Sequence, residues 1–140
     1  MNIRVKNSGI VRLTIRRNLR QGNLIIAEAM RNIPFPIRRV YFMNRIKDGR
    51  TVRGGHAHKT LTQAIFSANG SFTLNLDDGK HKQKLVLNKH DVGIILGPKL
   101  WHTMSKFSKD CVVLVLASDH YRERDYIRDY DEFLKITKRS

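Results

Sequence analysis

Short apolar–polar alternations, cut by turn residues at roughly 8–12-residue spacing, constrain this chain more than any other feature of it. In SFTLNL (71–76), Phe72, Leu74 and Leu76 fall on one face of an extended segment, as the two-residue period of a half-buried strand requires. DDG (77–79) is a hairpin turn signal, KHKQKLVL runs back from it, and NKHD turns the chain again. VGIIL (92–96), LWHTM (100–104) and CVVLVLA (111–117) read as further short strands. Upstream, LIIAEA (24–29) and IRRVYFMN (37–44) flank MRNIPFP, whose two prolines break any helix. In the second of these segments Tyr41 and Met43 share one face, while Val40 and Phe42 share the other. The pattern predicts an all-β sandwich or barrel.

The C-terminal stretch YRERDYIRDYDEFLKITKRS changes character. Tyr126, Tyr130, Phe133 and Leu134 recur at helical spacing. Acidic residues come first, and Lys135, Lys138 and Arg139 come last, the order that suits a helix dipole. One C-terminal α-helix packed on the barrel is expected, with its tyrosines as packing residues.

A length of 140 residues suits one domain spanning 1–140, long enough to bury a core without disulfides. The lone Cys111, inside an apolar strand, reads as a packed thiol and permits a reducing compartment. MNIRVKNSGIVRLTIRR has no apolar signal region, and no apolar run is long enough to span a bilayer. A cytoplasmic protein with no membrane partner is expected. Lys and Arg number 27 against 12 Asp and Glu, a net charge of +15. The first 53 residues hold 13 of these basic side chains and 2 of the acidic ones. Such a field attracts an anion, whether a phosphorylated small molecule, a membrane surface or nucleic acid. Nucleic acid is disfavoured, because no helix concentrates the charge as a recognition helix would.

The chemistry concentrates in RGGHAHKTLTQAIFSANG (53–70). On a strand, His56 and His58 project to one face. Arg53, Gly54 and Gly55 precede them, and paired glycines let a backbone come close to a neighbour. A further imidazole, His102, lies in GPKLWHTM. His-x-His, four residues, an acid, six residues and Gly resembles the first cupin motif. A later Gly…Pro…His stretch, here GIILGPKLWH, resembles the second. Cupin enzymes that bind metal take their ligands from the two histidines, the acid and the later histidine. This chain departs at the acid, where Gln63 stands, and at the second-motif glycine, where Leu100 stands. A neutral amide is a poorer ligand for a divalent cation than a carboxylate. Without metal, two imidazoles in a barrel mouth are proton-transfer groups, suited to abstracting a proton beside a carbonyl.

A narrower resemblance covers almost the whole chain. IPFPIRRVYFMN, RGGHAHKTLTQ, GSFTLNLDDG, GPKLWHTMSKFS, VLVLASDHY and RDYIRDYDEFL together resemble the nucleotide-sugar 3,4-ketoisomerases of the WxcM-like group, similar in fold to deoxysugar 3,5-epimerases. The resemblance implies an all-β, cupin-type jelly roll with a C-terminal α-helix, acting as a homodimer without metal or other cofactor. It implies a dTDP-linked 4-keto-6-deoxy sugar as substrate and its 3-keto isomer as product, on the way to a 3-amino sugar for a surface polysaccharide or secondary metabolite. His56 is then the candidate carbon base and His58 its assistant. Tyr41 would move protons between the sugar oxygens, or stand as a rim residue. Arg53 would stabilise an oxyanion or hold pyrophosphate, and Arg20 and Arg39 are candidate pyrophosphate contacts. Gln63 and His102 complete the substrate-binding set, although His102 reads equally as a core histidine bonded to backbone. Arg20 with His102 resembles the galacto-producing branch. A metal-dependent cupin, an epimerase and a basic nucleic-acid-binding module are the rival readings.

Overall fold

Alternation along the strands becomes a division between an apolar interior and two outer faces. The computed structural model describes residues 1–47 and 49–138; Arg139 lies outside them. The strands are β1 (Ser8–Arg12), β2 (Thr14–Asn18), β3 (Gly22–Ile26), β4 (Arg39–Met43), β5 (Arg53–His58) and β6 (Gln63–Asn69). They continue with β7 (Phe72–Asp77), β8 (Lys82–Leu87), β9 (Val92–Leu96), β10 (Trp101–Ser105), β11 (Val112–Ala117) and β12 (Tyr126–Ile127). A single helix, α1 (Tyr130–Lys138), ends the described chain. Two five-stranded antiparallel sheets, ordered β1-β9-β6-β11-β4 and β12-β5-β10-β7-β8, enclose the core as a cupin-type jelly roll. The β2–β3 hairpin pairs with neither sheet.

Local chemistry accounts for the turns. At the β7–β8 hairpin, Asp77 Oδ1 accepts the Gly79 N–H at 2.7 Å, and Asp78 Oδ1 accepts the amides of Lys80 and His81 at 2.8 and 2.6 Å. Gly79 sits at φ +91°, where a side chain is strained. Phe72, Leu74 and Leu76 point inward and meet Ile65, Ile94 and Val113 from the facing sheet. The alternate residues Ala64, Phe66 and Leu116 face out of the first sheet, where Leu13, Ile33 and Phe35 cover them. The proline-broken segment is therefore a lid over a second apolar layer. Cys111 is buried, and burial pushes its thiol pKa up, as a packed cysteine requires. Among the described residues, no helix is long and apolar enough to cross a membrane.

The expected C-terminal helix is present, but it starts later than the helical spacing from Tyr126 suggests. Glu123–Asp125 is a 3-10 turn, and Tyr126–Ile127 forms β12 on the free edge of β5, with Tyr126 opposite His58 and Ile127 opposite Ala57. The helix begins only at Tyr130, where Asp129 Oδ1 accepts the Asp131 N–H at 2.9 Å and caps it. Tyr130, Phe133 and Leu134 do share a helical face, and Phe133 seals α1 against Ala57 and Ile127. Tyr126 belongs to the strand and turns inward. LIIAEA also stops short as a strand, ending at Ile26.

Candidate active site

The two glycines before the histidines shape the strand that carries them. Gly54 and Gly55 take φ of +84° and +80°. A Cβ on Gly54 would stand 2.9 Å from the His102 carbonyl oxygen, so only glycine lets β5 approach β10 there. The register slips at this point: His102 faces His56, but Thr103 faces Gly54, which leaves Gly55 as the extra residue of a β-bulge. The bulge places His56 directly across from His102, with ring centroids 4.7 Å apart. His58, two residues on and on the same face, lies 4.9 Å from His56, edge to face. Sequence periodicity had this pairing right.

Six of the predicted residues line one cavity of about 340 Å³ between the sheets: Arg39, Tyr41, Arg53, His56, Gln63 and His102. Ile65, Leu96, Met104 and Val115 form its apolar floor. His58 stands behind His56, 3% exposed, and its Nδ1 lies 3.2 Å from Asp125 Oδ2. Arg20 stands apart on the exposed β2–β3 turn. Three residues that the sequence reading did not select also belong here. Tyr121 and Tyr126 line the mouth, and Asp125 holds His58. Tyr121 ends VLVLASDHY and Tyr126 and Asp125 lie in RDYIRDYDEFL, two of the stretches that carry the family resemblance, but the helical reading gave the tyrosines to packing and the acids to the helix dipole.

Burial sets the protonation states. It lowers His56 to about 3, helped by electrostatic coupling to His102, His58 and Arg128, and lowers His102 to about 4. His58 is also lowered by burial, although Asp125 pulls it the other way. All three imidazoles are neutral at neutral pH. The His58–Asp125 contact is therefore a hydrogen bond from Nδ1–H to carboxylate and not an ion pair. His102 Nδ1 lies 3.2 Å from the Leu100 carbonyl, so the backbone-bonded histidine and the cavity histidine are one residue. Tyr41 donates its hydroxyl to Gln63 Oε1 at 2.7 Å, and burial raises the phenol to about 12. It remains a proton donor through the whole physiological range.

That hydrogen bond explains the amide. Gln63 is 2% exposed and its oxygen is engaged by a phenol, whereas a carboxylate there would be a charge in an apolar wall. Among the described residues no three His, Cys, Asp or Glu side chains are placed to hold an ion.

The mouth is cationic and aromatic. The Arg39 guanidinium lies 5.3 Å from the Tyr41 ring centroid and 5.9 Å from that of Tyr121. Its Nε is buried with no hydrogen-bond partner among the described residues. Arg128 lies 4.2 Å from the Tyr126 ring and holds Glu123 through two bonds of 2.9 and 3.0 Å. Tyr121 donates to the same Glu123 carboxylate. A buried donor lacking an acceptor beside an open cavity suits an anionic ligand.

A jelly roll holding neutral imidazoles, a phenol and an amide in one cavity, with arginines at its mouth, defines a cupin-type enzyme site built for proton transfer. The chain belongs to the WxcM-like, C-terminal family (FdtA), whose model matches residues 6–138. It is similar to the TDP-4-oxo-6-deoxy-alpha-D-glucose-3,4-oxoisomerase of Aneurinibacillus thermoaerophilus, 50% identical over 115 residues, which are 82% of each protein. Among solved structures it is similar to a His-to-Asn mutant of the 3,4-ketoisomerase QdtA from Thermoanaerobacterium thermosaccharolyticum, in complex with TDP-4-keto-6-deoxyglucose. The TM-score is 0.93 and the identity 34%, over 97% of each chain. The WlaRB TDP-quinovose 3,4-ketoisomerase from Campylobacter jejuni matches with a TM-score of 0.87 and 43% identity, over 94% of this chain and 99% of that one.

Proposed function

We propose that this chain is a nucleotide-sugar 3,4-ketoisomerase that converts TDP-4-keto-6-deoxyglucose to its 3-keto isomer without a metal ion. The observation that carries this reading is the convergence of His56, His102, Tyr41 and Gln63 on one cavity with no carboxylate among them. His56 removes the proton from C3, giving an enediolate across C3 and C4. A proton exchanged with solvent is then delivered to C4, with His58 assisting His56 from behind. The hydroxyl proton on O3 must reach O4, and the Tyr41 phenol, braced by Gln63, is the donor placed to relay it. The C3–H and O3–H bonds break while C4–H and O4–H form, so the atoms balance without an oxidant. General-base assistance of this kind contributes about 10²–10⁴-fold to rate.

Arg39 and Arg53 at the mouth take the oxyanion and pyrophosphate charge. The enzyme works as a cytoplasmic homodimer. Supporting that, Val40 and Phe42 expose 59% and 64% of their surface on the edge strand β4, and Leu24 exposes 61% on the unpaired hairpin. A second copy covering these groups takes their apolar surface out of water. The product is galacto-configured, a reading that rests on Arg20 together with His102. The 3-keto sugar then requires an aminotransferase to consume it.

The test is conversion of TDP-4-keto-6-deoxyglucose by chelator-treated protein, followed by NMR of the sugar carbons. Appearance of a 3-keto, galacto-configured product is expected. Activity that vanishes with chelator and returns with a stoichiometric divalent metal would favour the metal-dependent cupin instead.

A further inference from the structure

Resting on the 3,4-ketoisomerase function just proposed, we infer that Asp125 is a positioning residue for the reaction: it fixes the tautomer of His58, and through His58 it holds His56 as the base. Asp125 lies 67 residues from His58 in sequence, and two structural features bring them together. The 3-10 turn Glu123–Asp125 ends against the loop after β5, where the Lys59 N–H donates to the Asp125 carbonyl at 2.9 Å. The β12 strand then pairs Tyr126 with His58.

The carboxylate is surrounded by donors. Oδ1 accepts the Thr60 N–H and the Thr60 hydroxyl, both at 2.8 Å. Oδ2 accepts the Leu61 N–H at 3.2 Å and faces His58 Nδ1 at 3.2 Å. Burial pushes the Asp125 pKa up, but the bonds from Thr60 and Leu61 outweigh it and hold the group ionised. An ionised carboxylate can only accept. His58 must therefore carry its proton on Nδ1, which leaves Nε2 as a bare lone pair.

His58 is not part of the cavity wall, so any effect it has on substrate passes through the rings it touches there, Tyr126 at 4.5 Å and His56, the base, at 4.9 Å. Removing a carbon-bound proton turns His56 into an imidazolium in a site whose burial disfavours that charge. A fixed negative charge one imidazole away offsets part of that cost, and a fixed tautomer presents a lone pair and not a second N–H to the charged ring. Thr60 and Leu61 belong to the arrangement because they hold the carboxylate still.

The experiment is long-range 1H–15N NMR of the full chain labelled at histidine nitrogen, joined to steady-state kinetics on TDP-4-keto-6-deoxyglucose. In the parent, His58 is expected to be protonated at Nδ1 and bare at Nε2 at neutral pH. In Asp125→Asn that preference should be lost. Its kcat should fall about tenfold to a hundredfold, the usual effect of removing a carboxylate behind a functional histidine, with KM within about twofold. Asp125→Glu should keep the tautomer and recover part of kcat, which a purely structural tie would not predict. Parent His58 protonated at Nε2, or Asp125→Asn with kcat within about threefold of the parent, would overturn the inference. Should Asp125→Asn fail to fold, the parent tautomer and the Asp125→Glu kinetics decide. A folded parent that leaves the sugar unchanged sinks the proposed function, and the tautomer then decides the role of Asp125 alone.

Discussion

Gln63 stands where a metal cupin needs a carboxylate, and its oxygen is bonded to Tyr41. That contact occupies the amide oxygen with a phenol donor. Gln63→Glu should gain no stoichiometric zinc in isothermal calorimetry, because among the described residues the imidazoles are not themselves grouped to hold an ion; tight binding would contradict that geometry. His56→Asn keeps the size and polarity of the side chain but removes the base. Turnover should fall about a hundredfold or more with the thermal midpoint little changed, and retention of above about a tenth of the parent rate would contradict the assignment. Tyr41→Phe should cost less, since water can enter the cavity and carry the oxygen-to-oxygen proton. The histidine pair was legible in the sequence because a two-residue period puts both rings on one face. Asp125 was not, because its partner lies 67 residues away and only the folded turn brings them together.

The β-bulge at Gly54–Gly55 is the element on which the site geometry depends. Gly54→Ala places a Cβ 2.9 Å from the His102 carbonyl at φ +84°, so the strand must shift to accept it. A loss of about 1–3 kcal/mol in denaturant unfolding is expected from backbone strain of this kind, with reduced turnover even where the variant is folded. A variant as stable and active as the parent would show that the bulge does not aim His56. At this scale the sequence was readable where one signal acted alone. DDG between two alternating runs gave the β7–β8 hairpin, and VGIIL matches β9 residue for residue. Reading failed where two signals competed. Tyr126, Tyr130, Phe133 and Leu134 fit a helical period, but the open edge of β5 satisfies the backbone of Tyr126 and Ile127 as a strand. No local pattern reports that an unpaired edge is waiting. The strands β1 (SGIVR) and β2 (TIRRN) were missed for a different reason: neither five-residue run alternates apolar with polar residues.

For the whole molecule, buried neutral imidazoles make acid the vulnerable direction. His56 and His102 titrate at about 3 and about 4 when folded, against 6.5 in an unperturbed histidine. Below that ordinary value the unfolded chain binds protons that the folded one refuses, so unfolding gains as pH falls. The stability these groups contribute is complete above about pH 6.5 and is lost as pH drops through about 4 to about 3. Asp125 and Asp78, both held below the usual carboxylate range, act in the same direction at the lower end. The thermal midpoint should decline across this window, and His102→Gln should flatten the decline; a constant midpoint from neutral to pH 4 would contradict the buried neutral state.

The central claim, that this cavity moves a carbonyl by one carbon through proton transfer, is tested most directly in heavy water. The protein is incubated with TDP-4-keto-6-deoxyglucose and the sugar is read by NMR. The account predicts a ketone at C3 and deuterium at C4. Deuterium at C5 with the ketone still at C4 would contradict it, because that is the mark of an epimerase.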